Sequence, residues 1–270
     1  MTQFFLIYMI IQKGMHISFY AWYEMKVLIL AAGKGKRLGS ELTQIPKVLR
    51  KACGRPLLAY VLDTVSFAEA KDITIIVGYQ KEKVMEAFQG YDFAFQEEQK
   101  GTGHAVMCAE KNLEGYDGDV LVVCGDMPLI QKSSVERLIK RHKKDGNACT
   151  LLTFTAKGEV PPFGRIIRDK DGRFLGIVEH KDATEEQRKI RELNVGIYVF
   201  NCKELFKALK KITASKETNE LYLTDVPMIM FGEGLKIDGF TDGDEDDFKG
   251  VNTEDDLRIV EEIINKQKNK

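Results

Sequence analysis

The sequence lacks an excess of charge of either sign, paired cysteines and a long hydrophobic segment. It carries 40 Lys plus Arg against 41 Asp plus Glu, a formal net charge of -1, so the positive charge that drives nonspecific nucleic-acid binding is absent. The five cysteines are odd in number and include no CxxC pair, which argues against a disulfide framework or a zinc site. These absences argue against a nucleic-acid partner and a secreted disulfide fold, and they predict a cytoplasmic protein.

The longest apolar run lies near the amino terminus and is too short to cross a membrane. Residues 4–11 read FFLIYMII with no preceding Lys or Arg, whereas a spanning helix needs about 20 apolar residues and a signal peptide has a basic start. We predict that Met25 opens the folded domain. The role of the N-terminal extension, residues 1–24, stays open between a surface-packed segment, a segment with no native role and a membrane-surface anchor.

Short apolar runs alternate with helical periodicity along the rest of the 270-residue chain. This alternation predicts βαβ units on a mostly parallel sheet flanked by helices. The predicted strands span residues 26–31, 73–77, 93–95, 120–124, 148–155 and 195–200. The predicted helices span residues 57–67, 81–88, 104–112, 135–143, 203–212 and 254–266. Residues 164–179 predict a hairpin around Asp171–Gly172, so we expect one α/β domain with an inserted antiparallel β element.

The loop after the first predicted strand suits an anion. Residues 30–37 read LAAGKGKR, and their small side chains let the backbone approach a phosphate and form a nest of N–H groups. Neither a Walker A motif nor the GxGxxG fingerprint fits, because no Ser or Thr follows Gly-Lys and Gly39 arrives one residue late. Six cations lie in and after this loop: Lys34, Lys36, Arg37, Lys47, Arg50 and Lys51. They indicate a local phosphate site, with a solvated basic loop as the alternative.

Two oxygen donors stand beside predicted helix starts without being needed as caps. Asp126 ends the strand in VLVVCGDMPLI, and Asn252 precedes the last helix. Capping boxes are predicted at Ser133–Glu136 and Thr253–Asp256 for the helices that follow. Because Mg²⁺ prefers one or two carboxylate or amide oxygens plus substrate phosphates, the pattern favours a metal site at Asp126, and less strongly at Asn252. An Asx turn or helix cap at Asp126 is the alternative.

A glycine-rich segment, QKGTGHA at residues 99–105, precedes another predicted helix. The two glycines that flank Thr102 would let the main chain lie against a flat ring. The plainer interpretation is a helix entry with Thr102 as N-cap. Both interpretations can hold together.

Several segments carry a resemblance to a known family. In chain order they are LAAGKGKR from Leu30, PKVL from Pro46, QEEQKGTGHA from Gln96, CGDMPLI from Cys124, FGRIIRD from Phe163, GIVEHKDATEEQRKI from Gly176, LNVGIYVF from Leu193 and GVN ending at Asn252. Together they resemble sugar nucleotidyltransferases, specifically the uridylyltransferase domain of bacterial N-acetylglucosamine-1-phosphate uridyltransferases. The first motif is shared across that superfamily, whereas GTGHA together with VEHKDAT is far more specific.

The resemblance implies a Rossmann-like fold of the nucleotide-diphospho-sugar transferase type, with residues 25–270 as a single domain. It also implies uridylyl transfer from UTP to N-acetylglucosamine 1-phosphate, with Mg²⁺ as cofactor. The nucleotide would contact Leu30, Ala31, Ala32 and Gly33, with Gln96, Gly101 and Thr102 reading uracil. Arg37 and Lys47 would be the catalytic phosphate-binding residues, and Asp126 and Asn252 would hold the metal. The acetylated sugar would contact Gly164, Glu179, Asn194 and Asn252.

Some positions depart from the family pattern. Lys36 stands where Thr is usual, the stretch from Arg37 to Pro46 is longer than expected, Cys124 replaces a common Tyr, and Val195 follows Asn194. The alternatives are therefore a nucleotidyltransferase for another nucleotide or sugar phosphate, or a non-catalytic nucleotide-binding regulatory subunit. No hexapeptide repeats occur, so a left-handed β-helix acetyltransferase domain is not expected. The sequence leaves the oligomeric state open.

Overall fold

The computed structural model describes residues 25–268. The predicted extension at residues 1–24 lies outside the described residues. Within residues 25–268, no helix is both long enough and apolar enough to cross a bilayer.

A mixed sheet forms the centre of the fold. Among the described residues the strands are β1 (Lys26–Ala31), β2 (Lys51–Ala52), β3 (Arg55–Pro56), β4 (Ile73–Val77), β5 (Asp92–Phe95), β6 (Asp119–Cys124), β7 (Cys149–Thr155), β8 (Gly164–Arg168), β9 (Phe174–Val178), β10 (Glu192–Asn201) and β11 (Ile237–Thr241). The order across the sheet is β11–β7–β10–β6–β1–β4–β5. Along this path only β10 runs antiparallel to its neighbours, which confirms the mostly parallel sheet.

The predicted hairpin is present and joins the main sheet. β8 and β9 pair antiparallel, and Gly172 in the turn between them has a φ of 80°, a conformation that glycine adopts without strain. β8 also pairs with the start of β10, where Gly164 lies opposite Asn194. A separate two-stranded antiparallel sheet, β2 with β3, lies apart from the main one.

Helices cover both faces of the sheet. In the described chain they are α1 (Ser40–Thr43), α2 (Leu57–Thr64), α3 (Lys81–Ala87), α4 (Thr102–Met107), α5 (Lys132–Asp145), α6 (Glu185–Arg188), α7 (Cys202–Leu209), α8 (Asp225–Gly232) and α9 (Glu254–Lys268). Alternate residues of β1 enter different cores, since Val27 and Ile29 pack in one cluster and Leu28 in the other. This two-sided burial explains the continuous apolar run of β1.

Two helices begin at residues other than those predicted from the sequence. The Ser133–Glu136 capping box is wrong, because α5 begins at Lys132 with Gln131 as N-cap and no side-chain cap. Three buried apolar residues, Met127, Leu129 and Ile130, anchor the preceding turn, so packing sets this helix start. Thr102 is likewise the first residue of α4, and Gly101 is its N-cap.

The last helix starts as predicted. Asp256 N donates to Thr253 Oγ1 over 3.1 Å, and Thr253 N donates to Asp256 Oδ2 over 2.9 Å. This capping box fixes the start of α9. Leu257, Val260 and Ile264 of α9 then pack against Leu38 beside the first loop, and Asn252 is therefore held close to that loop.

Candidate active site

A cavity of about 730 Å³ opens where the parallel strands end. Open α/β sheets bind ligands at this edge. The residues that line it include the predicted Leu30, Ala31, Ala32, Gly33, Lys47, Gln96, Gly101, Thr102 and Asp126, together with Lys34, Gly35, Lys36, Val48, Glu97, Glu98, Gln99, Ala105, Cys124 and Glu220. The structure therefore brings the predicted nucleotide-contacting residues into one cavity.

The loop after β1 places several lysines at this cavity, because its backbone at Gly35 lies close to the Lys47 side chain. Gly35 has a φ of 65°, and a Cβ built on it would lie 2.8 Å from Lys47 Cβ. Lys34, Lys36 and Lys47 all line the cavity. Arg50 does not, because its guanidinium binds Leu38 O at 2.7 Å and the Glu254 carboxylate at 2.6 Å. Only part of the predicted cationic cluster thus faces the cavity, while Arg50 ties the loop to α9.

Lys47 connects the predicted metal and phosphate residues. Its ammonium donates to Asp126 Oδ2 and, over 2.8 Å, to Asn252 Oδ1. Arg37 Nη2 donates to the same Asn252 oxygen over 3.2 Å. Val251 N donates to Asp126 O over 2.9 Å, which places Asn252 beside Asp126. The structure brings Arg37, Lys47, Asp126 and Asn252 together, although 205 residues separate Lys47 from Asn252.

The side-chain oxygens of Asp126 and Asn252 contact the same positive charge. Asp126 Oδ2 and Asn252 Oδ1 both accept a hydrogen bond from the single ammonium of Lys47, so a positive charge already sits on this pair. Carboxylate and amide oxygens are hard donors that suit Mg²⁺. Among residues 25–268, no group of three or more His, Cys, Asp or Glu could hold a metal.

The glycine turn at residues 100–103 is shaped by a neighbouring backbone. Gly101 has φ 101° and ψ 175°, a region that only glycine adopts readily. Leu221 N donates to Lys100 O, and Gly103 N donates to Leu221 O, each over 2.8 Å. Buried Gln96 closes the turn, because its Nε2 donates to Gly101 O over 2.9 Å. The predicted base-reading residues thus form one hydrogen-bonded unit.

Three of the four predicted sugar-contacting residues, Gly164, Glu179 and Asn194, form a second group beside the cavity, whereas Asn252 lies with Lys47 and Asp126. A Cβ built on Gly164 would lie 3.6 Å from Asn194 Cβ and 3.7 Å from Glu179 Oε2. These three residues do not line that cavity. Cys124, which does, contacts Gly196 O through its sulfur at 3.7 Å, and Gly196 N donates to Asn194 Oδ1 over 3.3 Å. The two groups are therefore adjacent.

Burial controls the ionisation of two groups in this region. Burial raises the pKa of the Glu179 carboxyl above its ordinary value, and the hydrogen bond from Thr224 opposes that shift. Burial also raises the pKa of the Cys124 thiol to about 12. The Cys124 sulfur is consequently a neutral thiol near pH 7 and is unsuited to act as a nucleophile.

Sequence reasoning missed two contributors to the site. Tyr198 lies in the core, and its hydroxyl oxygen accepts a hydrogen bond from Asn194 Nδ2 over 2.7 Å. Leu223 N donates to Thr102 Oγ1 over 3.0 Å, and Thr224 Oγ1 donates to Glu179 Oε1 over 2.9 Å. The spacing NxxxY within β10 was the one sequence signal for the tyrosine. No pattern in residues 220–224 indicates the contacts that this segment makes.

Comparison with known proteins agrees with this architecture. A crystal structure of UDP-glucose pyrophosphorylase complexed with UDP-glucose matches with a TM-score of 0.68 at 18% sequence identity, covering 90% of this chain and 99% of that one. At this identity the match establishes the fold. The shared fold confirms the predicted Rossmann-like, mostly parallel sheet flanked by helices.

Sequence relatives are much closer. The bifunctional protein GlmU of Clostridium novyi is 42% identical over 88% of this chain, and that of Streptococcus thermophilus is 44% identical over 90%. The chain spans about half the length of these curated relatives, 51% and 52%. Residues 27–222 match the MobA-like NTP transferase domain. The predicted resemblance is confirmed, and the chain belongs to the MobA-like NTP transferase family.

Proposed function

We propose that this chain transfers a uridylyl group from UTP to N-acetylglucosamine 1-phosphate. An oxygen of the sugar phosphate attacks the α-phosphorus of UTP, the bond between that phosphorus and the bridging oxygen breaks, and pyrophosphate leaves. The observation that carries this proposal is the convergence of Lys47, Arg37, Asp126 and Asn252 at the end of a small-residue loop. Sequence identity with GlmU proteins over most of the chain supports the choice of substrates.

Positioning and charge neutralisation are the tasks of such a site, because phosphoryl-type transfer needs no protein nucleophile. The backbone of residues 31–33 lies open to the cavity and approaches the phosphates. Lys47 and Arg37 stabilise the negative charge that develops on the leaving pyrophosphate. Gln96, Gly101 and Thr102 hold the uracil, while Gly164, Glu179, Asn194 and Asn252 hold the sugar.

The donor set of Asp126 and Asn252 fits Mg²⁺, since both oxygens already share one cation, the Lys47 ammonium. These two residues would hold the ion. When bound, Mg²⁺ supplies Lewis-acid neutralisation of phosphate charge. With the ion held by Asp126 and Asn252, the Lys47 ammonium would donate to substrate phosphates in place of these two side chains.

Pyrophosphate release across four nucleoside triphosphates and several sugar 1-phosphates tests the proposal. We expect the highest kcat/KM for UTP with N-acetylglucosamine 1-phosphate. A preference for CTP or GTP would identify a transferase for another nucleotide. Tight binding of UTP with no turnover of any pair would instead identify a regulatory nucleotide-binding subunit.

Lys36 provides a smaller test of the phosphate loop. Its exposed side chain lines the cavity at the position where the family usually has Thr. Removing one exposed cation from an anion site costs on the order of 1 kcal/mol, so Lys36→Thr should raise the KM for UTP about five-fold, and less at high salt. Lys51→Thr, which changes an exposed lysine outside the cavity, is the control. Equal KM values for Lys36→Thr and the wild type would refute this role.

A further inference from the structure

Residues 220–224 link the two halves of the site, and we call this segment the strap. It lies outside the helices and strands, directly before α8. On one side, Leu221 exchanges backbone hydrogen bonds with Lys100 and Gly103, and Leu223 N donates to Thr102 Oγ1. On the other side, Thr224 Oγ1 donates to Glu179 Oε1 over 2.9 Å. The strap thus touches the glycine turn and the acidic residue of the second group.

The contact between the strap and the glycine turn is tight. A Cβ built on Gly101 would lie 2.5 Å from Leu221 O, and one built on Gly103 would lie 3.0 Å from the same oxygen. Leu223 and Thr224 are 2% and 9% exposed. The position of the Thr224 hydroxyl is therefore set by the packing of the strap against residues 100–103.

We propose that Thr224 is a positioning residue for the acceptor sugar phosphate: its hydroxyl holds the Glu179 carboxylate in place and keeps it able to accept hydrogen bonds. This inference rests on the proposed function, in which Glu179 contacts the sugar. Thr224 acts through Glu179 and is not itself a catalytic residue. The strap that carries it also contacts the base-reading turn, so one segment aligns both substrates.

The charges around Glu179 make its hydrogen bond to Thr224 important. Burial and the carboxylates of Asp182 and Asp225 raise the pKa of Glu179, while the Thr224 hydroxyl and the Arg165 guanidinium lower it. The phenols of Tyr198 and Tyr222 also face this carboxyl. Without the Thr224 hydroxyl, the carboxylate loses a donor that favours its charged form, so it protonates at higher pH. A protonated Glu179 accepts fewer hydrogen bonds from sugar hydroxyls.

Thr224→Val tests the proposal by steady-state kinetics from pH 5 to 9. We expect the KM for N-acetylglucosamine 1-phosphate to rise about ten-fold, as for a lost hydrogen bond to a charged group, with kcat and the KM for UTP within about two-fold. The acidic limb of 1/KM for the acceptor should shift to higher pH. Thr224→Ser, which keeps the hydroxyl, should restore both quantities.

Thr64→Val is the matched control. Thr64 is buried on α2, outside the site, and its hydroxyl donates to Ile130 O over 2.9 Å. Its replacement should lower the thermal unfolding midpoint without changing any KM or the pH profile. If Thr224→Val does not fold, Thr224→Ala removes the same hydroxyl and carries the same expectation.

Two results would overturn the positioning role. One is an unchanged acceptor KM and pH profile in a folded variant that lacks the hydroxyl. The other is loss of acceptor affinity in Thr224→Ser equal to that in Thr224→Val. Absence of turnover by the wild-type protein would refute the proposed function, and the positioning role with it. If the wild-type protein turns over, the comparison between variants alone decides the positioning role.

Discussion

Asp126→Ala is expected to lower turnover by about 1,000-fold or more while leaving the protein folded. In the proposed function the Asp126 carboxylate is one of the two groups that would hold Mg²⁺, and loss of Lewis-acid neutralisation is worth several kcal/mol in the transition state. It is also the partner of the Lys47 ammonium, so its removal frees the lysine to move. Pyrophosphate release at saturating UTP and acceptor, over a range of Mg²⁺ concentrations, measures the effect.

Asp72→Ala is the matched control for that experiment. Asp72 pairs with Lys26 over 2.6 Å at the opposite end of β1, and both Lys–Asp pairs are partly buried. Both variants lose an ion pair of the same kind, so both should show a modest loss of stability. Only Asp126→Ala should lose activity. Near-normal turnover of Asp126→Ala at saturating Mg²⁺ would contradict the metal assignment.

Gly101→Ala is expected to damage both nucleotide binding and stability. The backbone at φ 101° and ψ 175° costs about 1–3 kcal/mol for a residue with a Cβ. That Cβ would also lie 2.5 Å from Leu221 O, so the strap must move away from the turn. The KM for UTP should rise at least about ten-fold, and the chemical-denaturation midpoint should fall, which kinetics and urea unfolding measure.

Gly115→Ala separates backbone strain from the collision. Gly115 has a φ of 76°, and a Cβ built there meets no atom within 4 Å. It should therefore lower stability moderately without affecting the KM for UTP. If Gly101→Ala behaved like Gly115→Ala in both assays, the packing of the strap against the turn would have no role in binding.

The positions of the main strands along the chain could be predicted from the sequence, because two-sided burial produces long apolar runs such as β1 and β6. The presence of β11 and α8 could not be predicted in this way. β11 reads IDGFT and has no apolar alternation, and it forms because β7 offers a parallel partner along its full length. α8 reads DVPMIMFG, an apolar segment with an internal proline, whose helical state depends on packing against α7 and β9.

Site residues could likewise be predicted only where they leave a local sequence pattern. Asp126 and Asn252 could be selected because Asp126 closely follows the buried strand β6 and a capping box at Thr253 leaves the Asn252 side chain unused as a cap. Charge clustering placed Lys47 in the predicted phosphate site, but its contact with Asp126 was not predicted, since 79 residues separate the two and no spacing rule reaches so far. The strap was missed because its contacts are made by backbone groups and one hydroxyl, which leave no periodic pattern.

The contact between Lys47 and Asn252 has a consequence for folding. It closes a loop of 205 residues, and closing long loops is entropically costly and slow. The sheet from β1 to β6 contains much shorter connections and can form earlier. A chain cut before residue 252 would retain the strands and the loop after β1 yet lack Asn252, one of the two residues proposed to hold Mg²⁺. The contact between Lys47 and Asn252 can therefore form only after the carboxyl-terminal segment has packed against the loop after β1.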